Sequence, residues 1–521
     1  MRNIGGAAPG CFYIVDNMKG VLMVFLVMAE STLGIGRTRS GHSAALRPPP
    51  LPEGVHLPQE KWFTQTLDHF SPTDIRTWQQ RYFINDTFYK PQGPVLLLIG
   101  GEGPANPEWM VTAMPLEYAK NLSGCLLQLE HRFYGKSHPT EDASVENLAY
   151  LSSEQALADL ATFTEAMKKH LGLTTNKWIA IGGSYPGSLA AWYRLKYPHL
   201  VDGAVAVSAP ILAQLNFKEY LEVVRDSLAT VGEDCNVAIS IAHHELHILL
   251  QQESGWKIIS KQFRLCSPLD GHNKKDVANL FSMLTENVED IVQYNRDNRA
   301  FEGVKGTNIT IETVCEIMRN KTLGSPYIRY ATLNSLLLDV EEEKCLDHTY
   351  RSMVKEMQSM DWKDSVGGRS WMYQTCTEFG FYQSSDSRQQ PFGNEFPVEF
   401  FVQQCQDIFG PRFTENLVLS GIKRTNTLYG GRDLKVTRVV FINGAIDPWH
   451  ALGITTDLST SAPAIYINDA ELCVKKGCTD LMTGLAGNKH HHTHNIHDDC
   501  DFALPDGLLR QNTFKVHKHL L

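Results

Sequence analysis

The sequence lacks several features that would place it in other classes of protein. It has no apolar run of the roughly 20 residues that a membrane-spanning helix needs, so no stable membrane span is expected. It has no excess of positive charge, since its net charge is −10, which argues against nucleic acid as a main partner. The stretch 213–431 shows no internal repeat and no metal-ligand spacing. We therefore expect neither a metal nor a cofactor.

The length and composition are those of an ordinary globular protein with more than one domain. The chain has 521 residues, well beyond the size at which a single hydrophobic core stops growing. Hydrophobic residues make up 43% and charged residues 20% of the chain, close to the average. Two domains are the natural expectation.

The N-terminal region is typical of a secretory signal. Lys19 precedes a short apolar run at 21–29, although a buried helix is an alternative interpretation. We predict that residues 1–36 form a signal peptide with an N-terminal extension, and Met18 is an alternative start. Residues 37–58, which are rich in proline, are predicted to be a leader.

The cysteines and glycosylation motifs indicate the same route. Ten of the eleven cysteines follow the leader, an even number that fits an oxidising compartment, although their pairing cannot be deduced. We expect the protein in the secretory pathway, either in endosomes and lysosomes or secreted. Asn-x-Ser/Thr motifs, which would be glycosylated on this route, occur at Asn85, Asn121, Asn308 and Asn320.

Alternating strands and helices predict a parallel sheet. Short apolar runs at Val95–Ile99, 126–129, 201–207 and 436–442 are typical of buried strands. Between them, 152–170 has a helical apolar stripe and a capping-box pattern at its start. This order is that of successive strand–helix–strand units.

The stretch 178–192 predicts the site around which the chain is organised. An apolar run ends at Ser184, glycines lie beside it, and a helical pattern follows at once. This arrangement is typical of a nucleophile elbow, in which a serine occupies a strained turn between strand and helix. Gly187 comes one place later than in the usual Gly-x-Ser-x-Gly pattern, and a plain glycine–serine turn is the alternative.

Two further stretches are candidates for lining this site. The glycine-rich loop 100–104 follows an early strand, so we predict that the backbone N–H groups of Gly101 and Tyr185 form an oxyanion hole. A simple tight turn is the alternative for the loop. Glu130, His131 and Arg132 either line the site or form a structural ion-pair cluster, and the sequence does not decide between these.

Asp447 is the candidate for the acidic partner of Ser184. It follows the late strand 436–442, and enzymes with a nucleophile elbow place their acid in such a loop, in the chain order Ser, acid, His. Its role would be to orient a histidine and stabilise the imidazolium. An Asp-Pro turn with Pro448 is the alternative interpretation.

Taken together, these motifs resemble the lysosomal serine exopeptidases that include prolyl carboxypeptidase and dipeptidyl peptidase II. The resemblance implies an α/β-hydrolase fold with an inserted, mostly helical cap. It also implies Ser184 as nucleophile, Asp447 as acid, and peptide substrates that often carry proline near the cleaved bond. A homodimer is a further possibility that the sequence does not decide. The matching stretches are 62–70, 100–104, 130–137, 150–159, 182–192, 371–378 and 443–450.

On this basis the chain is predicted to divide into a hydrolase domain in two parts and an insertion. The predicted parts are the first hydrolase segment at 59–212, the helical cap at 213–431, the second hydrolase segment at 432–470, and a divergent tail rich in histidine and cysteine at 471–521.

The tail departs from the family pattern at the histidine. Leu472 stands where the resemblance places the catalytic histidine, and leucine cannot accept the proton of the serine. Three interpretations of the tail are open. It is an alternative C-terminus that lacks a catalytic base, or it supplies another histidine, such as His494, in place of the missing one. In the third, its imidazoles bind a metal ion. His450 is too near Asp447 in sequence for good geometry. A serine exopeptidase, a catalytically impaired peptide-binding homologue, and a lipase or esterase therefore remain as hypotheses.

Overall fold

The computed structural model describes residues 51, 54–112, 114–295, 309–362 and 367–467. Several predictions fall outside these ranges: the signal peptide, most of the leader, Asn308, and the tail with Leu472 and His494. In the part of the chain that is described, no helix is long and apolar enough to cross a membrane. The same residues contain no group of three or more His, Cys, Asp or Glu side chains arranged to hold a metal ion.

An eight-stranded sheet forms the centre of the molecule. Its strands lie in the order β1-β2-β4-β3-β5-β6-β9-β10. The pairs β1–β2 and β2–β4 are antiparallel, and every later pair in this order is parallel. The strands are β1 Lys61–Thr66, β2 Thr77–Asn85, β3 Val95–Ile99, β4 Cys125–Leu129, β5 Trp178–Gly183, β6 Gly203–Val207, β9 Val439–Gly444 and β10 Ala464–Ile467.

Helices cover both faces of this sheet, which explains why its central strands are apolar throughout. Successive side chains of a strand point to opposite faces. Leu97 packs in one cluster with the helix Ser153–His170, whereas Leu96 packs on the other face with Trp109. The helices within the hydrolase segments are Trp109–Thr112, Met114–Leu122, Val145–Leu148, Ser153–His170 and Tyr185–Lys196.

The described residues between β6 and β9 form a mostly helical insertion. It also contains two short parallel strands, β7 Gln214–Asn216 and β8 Gly380–Tyr382. Its helices are Glu219–Ala229, Glu233–Leu250, Glu253–Gln262, Lys274–Gln293, Ile311–Arg319, Pro326–Val340, Tyr350–Met357, Gly368–Gln374, Val398–Phe409 and Glu415–Tyr429, with a π-helical turn at Thr375–Phe379.

Three disulfides stabilise this insertion. They join Cys235 to Cys315, Cys266 to Cys345, and Cys376 to Cys405. Cys125, on β4 of the sheet, is buried and is the free cysteine among the described residues. The α/β-hydrolase fold with an inserted helical cap is thereby confirmed, while the exact boundaries at 213 and 431 stay a prediction.

Candidate active site

Ser184 occupies a strained turn between strand and helix. All six residues of β5 are buried, and the helix Tyr185–Lys196 begins directly after Ser184. The backbone of Ser184 has φ 58° and ψ −131°, which is outside the regions that residues other than glycine favour. Such a conformation costs about 1–3 kcal/mol and is retained where the surrounding structure enforces it.

Two glycines permit this turn by leaving room for neighbouring backbone. A Cβ on Gly182 would lie 2.1 Å from the carbonyl oxygen of Pro186. A Cβ on Gly187 would lie 2.9 Å from the carbonyl oxygen of Val207, on the neighbouring strand β6. The late position of the second glycine is therefore explained by the close approach of the helix to β6.

Asp447 lies just beyond the end of β9 and is almost completely buried, with 3% of its surface exposed. Its Oδ1 accepts a hydrogen bond from the backbone N–H of Trp449 at 3.0 Å, whereas Oδ2 has no hydrogen-bond partner among the described residues. Burial raises the pKa of this carboxyl to about 7, although the hydrogen bond from the Trp449 N–H acts in the opposite direction.

The sheet places Ser184 and Asp447 at the same edge. Strands β5, β6 and β9 are parallel neighbours, so their carboxyl ends meet there. The Ser184 N–H donates to Val207 O at 2.9 Å, and the Ser208 N–H donates to Ile442 O at 2.7 Å. These bonds connect the ends of the three strands, with only β6 between the two candidate residues.

No histidine among the described residues takes the place expected beside Asp447. His450 Nδ1 lies 2.7 Å from the backbone oxygen of Asp447, and Nε2 lies 3.3 Å from the hydroxyl of Tyr466. Burial lowers the pKa of His450. Its ring therefore contacts the main chain of Asp447 and not the carboxylate. The other candidate, His494, and Leu472 lie outside the described residues.

The two predicted oxyanion donors are both at this edge of the sheet. Tyr185 is the first residue of the helix that follows Ser184, where the helix has free backbone N–H groups. Gly101 lies in the loop directly after β3, and it is buried. The N–H of its neighbour Gly100 is used within the sheet, where it donates to Leu129 O at 2.9 Å. Their role in holding an oxyanion remains a prediction.

Glu130 and Arg132 belong to buried ion pairs, which favours the structural interpretation of this cluster. Arg132 donates to both carboxylate oxygens of Asp159 at 2.6 Å. Glu130 forms an ion pair with Arg81 and accepts a hydrogen bond from the Ser137 hydroxyl at 2.7 Å. Bidentate ion pairs of this kind hold the segment that follows β4 in one defined position.

A buried polar network connects the insertion to the residue beside Ser184. Gln374 Nε2 donates to the Tyr185 hydroxyl at 3.0 Å and to Glu378 at 3.0 Å. His131 Nε2 lies 3.1 Å from the same hydroxyl. The Ser153 hydroxyl also donates to Glu378, at 2.7 Å. Sequence reasoning assigned no role to Gln374 and Glu378, although both lie in one of the matching stretches.

The glycosylation motifs differ in how accessible their asparagines are. Asn121 and Asn320 are exposed. Asn85 is half-buried, and its side-chain nitrogen donates to Met110 O at 2.8 Å. A glycan on Asn85 would replace one hydrogen on that nitrogen, so Asn121 and Asn320 are the better acceptors on structural grounds.

Comparison with known families accounts for this arrangement. The family model described as serine carboxypeptidase S28 matches residues 65–480, which is more than three quarters of the chain. The chain belongs to this family. As a serine carboxypeptidase S28 protein it is a serine-type peptidase, and its fold is that of an α/β hydrolase.

Named relatives of this S28 protein match over most of their length. Thymus-specific serine protease of Mus musculus is 36% identical over 429 residues, 80% of this chain and 82% of the relative. The Homo sapiens protein of the same name is 33% identical over 435 residues, with 81% and 82% covered. Lysosomal Pro-X carboxypeptidase of Homo sapiens is 29% identical over 424 residues, with 78% and 81% covered.

Proposed function

We propose that the protein is a serine exopeptidase that cleaves peptides, with proline near the cleaved bond, through an acyl-enzyme on Ser184. The observation that supports this most is the strained Ser184 turn at the same sheet edge as Asp447. In this mechanism Ser184 Oγ attacks the peptide carbonyl, and the N–H groups of Tyr185 and Gly101 hold the developing oxyanion. Asp447 orients the imidazole that takes the serine proton.

The helical insertion supports the choice of exopeptidase. It leaves the sheet at the carboxyl end of β6, the strand between Ser184 and Asp447, and returns at the start of β9. A cap so placed restricts the site to chain ends. The preference for proline is supported by one relative, which is named a Pro-X carboxypeptidase.

Labelling with a fluorophosphonate probe tests the nucleophile. We expect covalent modification on Ser184 in purified protein, mapped by mass spectrometry, because only an activated serine reacts at a useful rate. Ser184→Ala should abolish the label, and Ser240→Ala, which removes an exposed serine, should retain it. Labelling at another serine, or none in protein supplied with a histidine at 472, would contradict the proposal.

We further propose a secretory route for the protein, to endosomes, lysosomes or the cell exterior. The three disulfides support it, since such bonds persist in oxidising compartments. The name of the lysosomal relative points the same way. Asn85, Asn121, Asn308 and Asn320 are the proposed glycosylation sites, and a mass shift on glycosidase treatment of the secreted protein tests them.

A second candidate function is that of a peptide-binding homologue with impaired catalysis. It is supported by Leu472, which stands where the family resemblance places the histidine. Loss of a triad base lowers kcat by as much as about 10⁶-fold in a well-studied serine protease. We expect Leu472→His to raise kcat for a prolyl peptide by at least about 10³-fold, with little change in binding.

Turnover and binding should be measured on the same preparation of the two proteins. Leu472→Gln serves as the control, because it is polar but cannot act as a base at neutral pH. If the parent protein already turns over as fast as Leu472→His, the impaired-homologue function is wrong and another residue supplies the base.

A further inference from the structure

A cavity lies within the insertion and is closed on one side by Trp449, in the segment that follows β9. Its empty volume is about 500 Å³, counting space open to solvent. Trp449, two residues after Asp447, forms one wall. Trp371 forms another, and its ring centroid lies 5.6 Å from that of Tyr185, the neighbour of Ser184. A peptide bound at Ser184 would therefore have this cavity within reach.

Two carboxylates of one helix line the cavity. Glu286 and Glu289 are three residues apart on the helix Lys274–Gln293 and so share a face. They are only 6% and 4% exposed. Such burial is unusual for glutamate unless a partner is present.

Glu289 has no hydrogen-bond or ion-pair partner among the residues that the structure describes. Burial raises the pKa of its carboxyl well above the usual value, with Asp290 adding to the effect. None of the residues that line the cavity is a lysine, arginine or histidine. An ionised Glu289 would thus find no counter-charge among the residues that line the cavity. Burying an unpaired charge is strongly unfavourable, so the carboxylate form needs a cationic partner.

A second unsatisfied group lines the same cavity. Gln383 is 6% exposed, and its Nε2 has no hydrogen-bond partner among the described residues. Unsatisfied buried polar atoms are rare in folded proteins. A ligand with both a positive charge and a carbonyl oxygen, as every peptide with a cationic group has, would satisfy Gln383 and Glu289 together.

The remaining walls are aromatic, which also suits a cation. Besides the two tryptophans, Phe381, Tyr382 and Phe401 line the cavity. Aromatic faces attract ammonium and guanidinium groups. An ionised Glu289 would also disfavour an anionic group in the cavity.

We propose that this cavity receives a cationic group of the bound peptide, an ammonium or guanidinium, with Glu289 as its counter-ion. The proposal rests on the proposed function, because it assumes that peptides bind next to Ser184. The shared chemistry has two sources in a peptide: the α-amino terminus and the side chain of lysine or arginine.

A binding experiment separates these sources without requiring turnover. The probes are hexapeptides of the form Ala-Ala-Ala-Pro-Ala-Phe in which one alanine at a time is replaced by arginine or by its neutral analogue citrulline. Each is made with a free and with an acetylated amino terminus. Their affinities for the full chain carrying Ser184→Ala are measured by isothermal titration calorimetry, so that cleavage cannot interfere.

We expect that either acetylating the amino terminus or replacing arginine by citrulline weakens binding by about 10- to 100-fold. This is the effect of losing a buried hydrogen bond to a charged group. Glu289→Gln, which keeps the shape of the side chain, should reduce that preference to less than about threefold. Glu253→Gln, which changes an exposed carboxylate on another helix, should leave it intact.

The outcomes distinguish this inference from the proposed function. If citrulline and acetylated peptides bind as tightly as their charged counterparts, the cavity does not recognise a cation, whatever Ser184 does. A preference that survives in folded Glu289→Gln likewise overturns the assignment. If Glu289→Gln fails to fold, as judged by circular dichroism, the comparison of charged and neutral peptides on the Ser184→Ala protein decides. Failure of the fluorophosphonate label, with the cation preference present, would instead count against the peptidase mechanism alone.

Discussion

At the scale of single residues, Ser184 and Asp447 are both buried, and each has a side-chain oxygen without a hydrogen-bond partner among the described residues. Ser184 is 1% exposed, and its Oγ has no hydrogen-bond partner among the described residues. Asp447 Oδ2 is likewise buried and has no hydrogen-bond partner among these residues. Each unsatisfied buried polar atom costs about 1–3 kcal/mol. An imidazole between them would accept from Ser184 and donate to Asp447, and so would satisfy both.

The carboxyl of Asp447 leads to a prediction about pH and stability. Its pKa is raised from 3.8 in the unfolded chain to about 7 in the folded protein. Between these values the folded state binds more protons than the unfolded state, so stability falls as the pH rises. This contribution is fully present below about pH 4 and is lost above about pH 7.

We therefore expect Asp447→Asn to be more stable than the parent protein at pH 8, by as much as about 4 kcal/mol. At pH 4 the two should unfold at nearly the same urea concentration. Urea unfolding at several pH values checks this. A difference independent of pH would mean that Asp447 is ionised in the folded protein at all these values.

At the scale of elements, the turn at Ser184 depends on the exact fit of a helix against two strands. The helix Tyr185–Lys196 approaches β5 and β6 so closely that side chains are excluded at Gly182 and Gly187. The sequence predicted this element correctly, since an apolar strand, small residues and a helical pattern follow one another directly. It could not show why Gly187 comes late, because the reason lies in β6, some twenty residues further along.

Gly182→Ala tests this fit. The added Cβ would lie 2.1 Å from the backbone oxygen of Pro186, which cannot move without shifting the helix start. We expect a loss of at least about 3 kcal/mol in unfolding free energy and loss of fluorophosphonate labelling. Chemical denaturation and labelling are measured together.

Gly172→Ala provides the comparison for this substitution. Gly172 has a positive φ, 68°, which Gly182 does not have, but a Cβ there meets nothing within 4 Å. It should cost only about 1–2 kcal/mol and keep the label. Equal effects of the two substitutions would show that the close approach of Pro186 does not limit position 182.

At the scale of the whole molecule, the sequence predicted the central sheet better than its edges. The bounds of Val95–Ile99 follow directly from an unbroken apolar run between Pro94 and Gly100, since a strand buried on both faces needs no polar residue. Lys61–Thr66, by contrast, is an edge strand with mostly exposed or half-buried residues, and no pattern marked it. Pairing with β2 decides its conformation, which is a tertiary effect.

The cavity with Glu289 could not be predicted from the sequence, because it too depends on tertiary contacts. The sequence has an apolar stripe at helical spacing, and glutamates outside such a stripe are expected in water. Its residues are Val277, Leu280, Leu284, Val288 and Ile291. The structure covers this helix on nearly all sides, so that both the stripe and Glu289 are buried. Which other elements cover a helix cannot be read from its own periodicity.

The concentration of disulfides in the insertion predicts that its stability can be changed separately from that of the sheet. Cys235 on the helix Glu233–Leu250 pairs with Cys315 on Ile311–Arg319, 80 residues further along the chain. Removing a cross-link that closes a loop of this length costs about 4 kcal/mol in the chain-entropy model. Because proteins open locally in cooperative units, most of this loss should fall on the insertion.

We expect the double substitution Cys235→Ser and Cys315→Ser to increase amide hydrogen exchange in these two helices and to leave exchange in β5 nearly unchanged. Hydrogen exchange followed by mass spectrometry measures both regions in one experiment. Cys125→Ala is the control, since this buried cysteine is unpaired and lies on β4, so its effect should be confined to the sheet. Faster exchange in β5 after loss of the disulfide would show that sheet and insertion unfold as one unit, in which case the insertion could not move independently to admit a peptide.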